Sequence, residues 1–340
     1  LKINDNRPKK LIDFCSKKFP GKLREDLVSL STSSITNIHS LSITANNLSL
    51  EIAKNINLFL KKQQTRRKIV ACGIHGQTIT HKPSQGYSIQ ICNPNLIAES
   101  TGLLIVSDFR NRDICRGGQG APFAPLFHAQ IAPKNDVSAF VNIGGIANLS
   151  LIANASVEGY DIGPGNCLID EWIRKNSKKK YDKDGLIAKS GTIDELVLNQ
   201  ALENFEENSN YKKSLDVRDF DIFFAKGLSL ENGAATITNF TAKLISNGMK
   251  YSQGMVKPIM YNWLVCGGGR KNKYLLESIK NTFEKINIQP IDEYEINGDF
   301  VESQAFGYLA IRSFLKLPIS FPTTTGCKAP TTGGDIIKNF

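Results

Sequence analysis

Asn142-Ile-Gly-Gly-Ile-Ala-Asn148 and Cys266-Gly-Gly-Gly269 decide how this chain is read. The first lies between two apolar, β-prone runs, Ser138-Ala-Phe-Val-Asn-Ile143 and Asn148-Leu-Ser-Leu-Ile152, and reads as a hairpin turn. The second closes the run Asn262-Trp-Leu-Val-Cys266 and precedes the helical pattern Asn272 to Phe283, which makes it a strand–helix turn. Glycine leaves backbone N–H groups unshielded and lets a ligand approach closely, and a helix N-terminus adds partial positive charge. Either turn alone reads as a tight turn. The two together, with Asp161 at a strand end between them, point to one nucleotide cleft. No Gly-x-x-x-x-Gly-Lys-Ser/Thr loop occurs, which argues against a P-loop ATPase, and no Gly-x-Gly-x-x-Gly opens a helix, which weakens a dinucleotide-binding reading.

Outward from these turns, strands and helices alternate in the manner of an α/β protein. Thr44 to Lys62 has helical apolar spacing, and Lys68-Ile-Val-Ala-Cys72, Tyr87-Ser-Ile-Gln-Ile91 and Leu103-Leu-Ile-Val106 read as strands. Asn95 to Thr101 reads as a short helix closed by Gly102, and Arg116 to Pro125 as a Gly/Pro-rich loop or hinge. Val157 to Ile162 predicts a strand, Cys167 to Lys175 a helix, and Ile193 to Phe205, Gly233 to Asn247 and Phe300 to Leu315 further helices. The tail, Pro318 to Lys338, reads as irregular.

A chain of 340 residues has room for two domains, and 41% hydrophobic with 22% charged residues excludes a disordered chain. The formal charge of +10 includes basic runs at Lys61-Lys62, Arg66-Arg67-Lys68 and Lys178-Lys179-Lys180. These are short, scattered and free of interleaved aromatics, so they read as solvated surface rather than a nucleic-acid face. A positive field also suits an anionic substrate such as ATP. Seven cysteines without a Cys-x-x-Cys pair fit a reduced, cytoplasmic protein better than a disulfide framework. No apolar run has the length of a membrane span, and no signal peptide is recognisable. Cys72, His75 and His81 match no standard zinc spacing, so no metal held by the protein alone is expected.

Asp161 precedes Gly163-Pro164-Gly165-Asn166; a carboxylate held on a strand end can act as a general base. The competing reading, a cap for the next helix, is better filled by Asn166. Asp170 reads as readily as an exposed helical carboxylate. Asp299-Phe-Val-Glu302 has capping-box spacing, and Glu302 at a helix start would stay ionised and could bind a sugar hydroxyl or support a base. His75-Gly-Gln77-Thr78 and Asp108-Phe-Arg110 with Asp113 follow neighbouring strands, where open α/β sheets place ligands.

Taken in order, Gly73-Ile-His-Gly-Gln-Thr78, Ser107-Asp-Phe-Arg110, Gly117-Gly-Gln-Gly-Ala-Pro122, Val141-Asn-Ile-Gly-Gly-Ile-Ala-Asn148, Gly159-Tyr-Asp-Ile-Gly-Pro-Gly-Asn166, Val265-Cys-Gly-Gly-Gly269 and Glu302-Ser-Gln-Ala-Phe306 resemble the anhydro-N-acetylmuramic acid kinase family. The resemblance runs from about Gly73 to about Gly326. It implies two ribonuclease-H-like domains of the actin/Hsp70/hexokinase superfamily with an interdomain cleft: residues 1–120 rejoined by the tail 316–340, and residues 121–315. It implies an ATP- and Mg²⁺-dependent transferase that opens the 1,6-anhydro ring with water and phosphorylates O6, giving N-acetylmuramic acid 6-phosphate in peptidoglycan recycling. A cytoplasmic homodimer is implied as well.

Carried onto this chain, the family's general base is Asp161, and Glu302 resembles its second acidic residue. His75, Gln77, Arg110 and Asp113 would line the sugar. Gly144, Gly145, Asn148, Gly163, Gly267, Gly268 and Gly269 would hold the nucleotide. The family's opening strand and Gly-Thr-Ser-x-Asp-Gly loop have no counterpart, and the chain begins at Leu1. The expectation is that sequence is missing upstream. The alternatives are an inactive remnant that at most binds nucleotide or sugar, and a kinase for a different sugar.

Overall fold

The structure, a computed structural model, describes residues 2–4, 7–33, 35–63, 69–132, 138–153, 156–206, 214–255, 262–283 and 286–338. Its strands in chain order are β1 (Lys2–Asn4), β2 (Arg7–Lys10), β3 (Cys72–Gly73), β4 (Gln77–Lys82), β5 (Tyr87–Ile91), β6 (Ile105–Ser107), β7 (Ser138–Ile143), β8 (Ile146–Ala153), β9 (Ser156–Pro164), β10 (Asn262–Cys266), β11 (Asn287–Pro290) and β12 (Asp335–Ile337). The chain divides into two units, residues 1–130 with 303–340, and residues 131–302. The sequence placed the divisions at 120/121 and 315/316. The difference at the second one has a local cause. Most of the helix Val301–Phe314 packs in the first unit, where the backbone of Gly73 lies so close to Phe306 that a Cβ on it would sit 2.6 Å from the Phe306 carbonyl oxygen.

The second unit carries a five-stranded sheet in the order β11-β10-β7-β8-β9. β7, β8 and β9 form an antiparallel meander, while β10 runs parallel to β7 and β11 parallel to β10. This is the ribonuclease-H-like order, and it makes β7 central. Five of the six residues of β7 are buried, as a strand covered on both faces requires. The 26-residue helix Leu230–Met255 lies along β9 and the helices Cys167–Asn176 and Lys273–Lys280. Glycines let it approach. The indole of Trp172 fills the notch at Gly233 and donates Nε1–H to Leu230 O at 2.9 Å, and Ile162 fills the notch at Gly248.

In the first unit β6 is flanked by β3, parallel, and β12, antiparallel. β12 contradicts the expectation of an irregular tail. Gly334, with φ +80°, turns the chain so that Asp335–Ile337 pairs with Ile105–Ser107. β4 and β5 form a hairpin that the sequence did not signal. Two of the apolar clusters among the described residues lie in this unit. One joins Leu23, Leu27 and Leu30 of the helix Gly21–Thr32 to Leu48, Ile79 and Ile91. The other joins Leu60, Ile74, Ile97, Leu103 and Ile105. The expected helix at Thr44 begins earlier, spanning Ile38–Gln63, and the expected strand from Lys68 is reduced to Cys72–Gly73, with Lys68 itself outside the described residues.

Two glycine substitutions test this packing. Gly233→Ala places a methyl 2.1 Å from the Trp172 ring and should cost roughly 1–3 kcal/mol in denaturant unfolding. Gly307→Ala, in the helix Val301–Phe314 with no atom within 4 Å of the new Cβ, should be neutral or stabilise by up to about 1 kcal/mol.

Candidate functional site

Four neighbouring strands of the second unit bring Cys266, Asn142, Asn148 and Asp161 into one transverse row. Cys266 is in register with Asn142, Asn142 with Asn148, and Asn148 with Asp161. Residues in register on adjacent strands share a sheet face, so the row is a polar strip across the sheet. β9 continues to Pro164, so Asp161 lies within the strand rather than at its end, beside a register shift at Ala147/Asn148. It is 7% exposed and accepts a hydrogen bond from the Leu215 N–H at 2.8 Å. The Asn148 side-chain oxygen is buried with no hydrogen-bond partner among the described residues. Cys266 donates to Asn142 Oδ1 at 3.6 Å. Burial pushes its thiol up to about 12, with Arg270 opposing and Glu302 adding, so the row carries no thiolate.

The glycines around this row fall into two groups. Gly267 has φ +76°, and a Cβ there would sit 2.6 Å from both Asn142 Oδ1 and Ile143 O; one on Gly269 would sit 2.2 Å from Ile143 Cγ2. Gly163 has φ +147° with Leu244 against it, and a Cβ on Gly165 would meet Gly144 O at 2.3 Å. The fold itself requires these four. Gly144, Gly145 and Gly268 differ. Their φ angles lie outside the left-handed region, and a Cβ on any of them would meet nothing closer than 3.4 Å. A primed hairpin turn, the usual reason for Gly-Gly, needs positive φ, and neither Gly144 nor Gly145 has it. The turn is held from behind. Gly144 O accepts from Asn166 N at 2.7 Å, and Gly145 O from Gly165 N at 2.8 Å and Cys167 N at 3.2 Å. Asn166 does not cap its helix through the side chain; its Nδ2 donates to Ile143 O and Gly144 O.

Arg270 follows the second turn and is buried. It donates to Gly267 O, to both oxygens of Asp292 and to Asp299 Oδ1. Burial alone would lower its pKa; the two carboxylates override this and raise it, and Arg270 in turn lowers theirs. The expected capping box is therefore absent: the Asp299 carboxylate is held by Arg270 and Lys271, and Asn297 accepts the Asp299 N–H. Glu302 is exposed in the first turn of the helix Val301–Phe314. Asp170 is half-buried rather than exposed, and burial raises its pKa to about 6, Arg174 opposing and Asp182 adding.

In the first unit, His75 and Arg110 meet beside the parallel pair β3 and β6. Arg110 Nε donates to His75 Nε2 at 3.0 Å. A guanidinium can only donate, so Nε2 is the acceptor and Nδ1 carries the proton given to Gly76 O at 2.9 Å. Burial, then Arg110, lower the ring to about 3, so His75 is a neutral support for Arg110 with both nitrogens engaged. Arg110 Nη1 also donates to Gly120 O at 2.6 Å. Gln77 opens β4, half-buried, its Nε2 3.3 Å from Thr78 O.

Asp113 departs from the expected sugar contact. It is 1% exposed, with Oδ2 accepting from Gly120 N and Oδ1 from Thr325 Oγ1, both at 2.7 Å. Its carboxylate is spent on joining the Gly117–Gly120 loop to the tail. Sequence reasoning missed Arg270 and Thr325, because their partners lie far along the chain and no local pattern announces them.

Among the described residues, no group of three or more His, Cys, Asp or Glu side chains could hold a metal ion, and no helix is long and apolar enough to cross a membrane. Lys61, Lys62 and Lys178–Lys180 are exposed, while Arg66-Arg67-Lys68 lies outside the described residues.

The chain matches known proteins along its whole length. The family model described as "Anhydro-N-acetylmuramic acid kinase" matches residues 1–339. An anhydro-N-acetylmuramic acid kinase of Pelagibacter ubique is 46% identical over 79% of this chain and 74% of its own length. One of Pseudomonas syringae pv. syringae is 38% identical over 93% of this chain and 89% of its own. Among solved structures, the activator of the 2-hydroxyisocaproyl-CoA dehydratase from Clostridium difficile, with bound ADPNP, aligns at 12% identity over 68% of this chain and 86% of that one. Its TM-score is 0.39, too low to bear on the fold, which rests on the strand order. The family match and the two kinases show that the chain belongs to the anhydro-N-acetylmuramic acid kinase family.

Proposed function

We propose that this chain binds Mg·ATP at the Gly144-Gly145 and Gly267–Gly269 turns and opens anhydro-N-acetylmuramic acid hydrolytically, phosphorylating O6. The observation that carries this reading is that Gly144, Gly145 and Gly268 are glycines for which the fold has no need, placed around a row that ends in Asp161. A ligand that must approach the backbone supplies the missing reason. Magnesium arrives with ATP as part of that substrate and neutralises phosphate charge.

In the reaction Asp161 takes a proton from water while the oxygen attacks the anomeric carbon. The bond from that carbon to O6 breaks, and O6 keeps the electron pair. O6 then attacks the γ-phosphate, ADP leaves, and the proton on Asp161 passes to solvent. Anhydro sugar, water and ATP give the 6-phosphate, ADP and a proton. Leu215 N–H, on one oxygen of Asp161, holds the carboxylate in orientation. Glu302 is the second acidic group, on the sugar. Gln77 and Arg110, the latter backed by neutral His75, are assigned to sugar binding on the family resemblance. Asn148, in register between Asn142 and Asp161, is assigned to the phosphate side, its buried oxygen directed to a donor on the ligand or its water. Gly163 contributes through fold rather than contact. The same family resemblance supports a cytoplasmic homodimer; sedimentation at the 37.5 kDa monomer mass would count against the dimer.

Asp161→Asn should lower turnover of the anhydro sugar by about 10²–10⁴-fold while leaving unfolding temperature and ATP binding unchanged. Near-normal turnover in that variant would remove Asp161 as the base. Gly268→Ala, where the nearest atom to the new methyl is 3.8 Å away, should fold normally and raise KM for ATP about tenfold. An unchanged KM would take the phosphates away from this turn.

A further inference from the structure

We propose that Arg270 is a positioning residue that locks the Gly267–Gly269 turn to the segment leading into the Glu302 helix, so that nucleotide and acidic group are set by one side chain. The proposal rests on the functional reading above and adds a part that reading does not contain.

The guanidinium is 4% exposed and spans three backbone segments. Its Nη1 holds Gly267 O at 2.9 Å, and so fixes the first residue of the turn. Its Nε and Nη2 take the two oxygens of Asp292, at 2.6 and 3.1 Å, as a planar fork. Nη1 also reaches Asp299 Oδ1 at 2.7 Å, two residues before the helix that begins at Val301. The contact is closed by Gly298, whose backbone lies against the guanidinium; a Cβ there would be 2.4 Å from Nε. Asp292 Oδ1 also accepts the Gly298 N–H at 3.3 Å, and Lys271 takes the remaining oxygen of Asp299. Lysine cannot reproduce this. It carries the same charge at a single point with no fork, so an Arg270→Lys chain keeps the charge and loses the geometry.

The test compares Arg270→Lys with Asp299→Asn in the full chain, reading kcat, KM for ATP, affinity for a fluorescent ATP analogue, and unfolding temperature. Arg270→Lys should raise KM for ATP at least fivefold and lower kcat at least tenfold together. Asp299→Asn, which removes the charge and one of the two acceptors that tie the helix approach to Arg270 and Lys271 but leaves Gly267 and Asp292 held, should lower kcat at least fivefold with KM for ATP within twofold of the parent. The proposal is overturned if Arg270→Lys leaves both constants within twofold, or if both variants lower kcat only in step with a loss of folded protein and with KM for ATP unchanged, as plain loss of fold would. Should Arg270→Lys fail to fold, Asp299→Asn decides alone: a selective fall in kcat supports the lock, and unchanged kcat overturns it. If the parent chain leaves the anhydro sugar untouched, the substrate reading fails, and the lock is then judged by analogue affinity. A fivefold loss in Arg270→Lys supports it, and an unchanged affinity overturns it.

Discussion

Ile143 lies so close beneath the chain leaving β10 that neither Gly267 nor Gly269 can carry a side chain. That contact is the constraint on which the rest of the site depends. It presses the end of β10 onto the end of β7 and holds the register in which Cys266 faces Asn142. From Asn142 the register passes to Asn148 and Asp161. The end of β9 is stitched to the same place, with Gly165 packed on Gly144 O and Asn166 bonded to the carbonyls of the turn. Three strand ends thus meet through close backbone approach and short, packed side chains. Such an arrangement fixes donors and carboxylate before a ligand arrives, which is what phosphoryl transfer asks of a protein.

The electrostatics suit an anionic co-substrate. Cys266, within the row, is an uncharged thiol, and His75 in the first unit is an uncharged ring. The guanidinium nearest the second turn, Arg270, is matched by Asp292 and Asp299 and serves as a structural tie, not as an open phosphate ligand. On the proposed reading, charge for the phosphates would come from backbone N–H groups and a metal carried by ATP, while the formal net charge of +10 favours encounter with an anion at longer range. The candidate site residues are distributed over the two units. Asp161, Glu302 and the glycine turns belong to the second, and His75, Gln77 and Arg110 to the first.

Much of the second unit was legible in the chain because its strands are long enough to show a pattern. Ser138 to Ile143 and Asn262 to Cys266 are strands within the bounds read from composition and turn residues. The first unit was harder. β3 has two residues and β12 three, too short for periodicity, and β12 exists only because β6 offers an edge to a tail that otherwise reads as irregular. The glycine turns were legible as turns, but which of their glycines the fold requires and which it leaves bare was not, since that depends on Ile143, Leu244 and Gly144 O approaching from elsewhere. Asp113 illustrates the same limit. A carboxylate after a strand reads as a ligand contact until Gly120 and Thr325 occupy it. Asn166 reads as a helix cap until its amide is seen on Ile143 O and Gly144 O.

On the proposed reading, Gly144, Gly145 and Gly268 are bare because ATP phosphates lie against them. Backbone amide NMR of the labelled chain, titrated with Mg²⁺ and a non-hydrolysable ATP analogue, tests this most directly. The largest amide shifts are expected at these three glycines, with Gly267 and Gly269, already packed on Ile143, moving less. Saturable binding that leaves Gly144, Gly145 and Gly268 unshifted would contradict it.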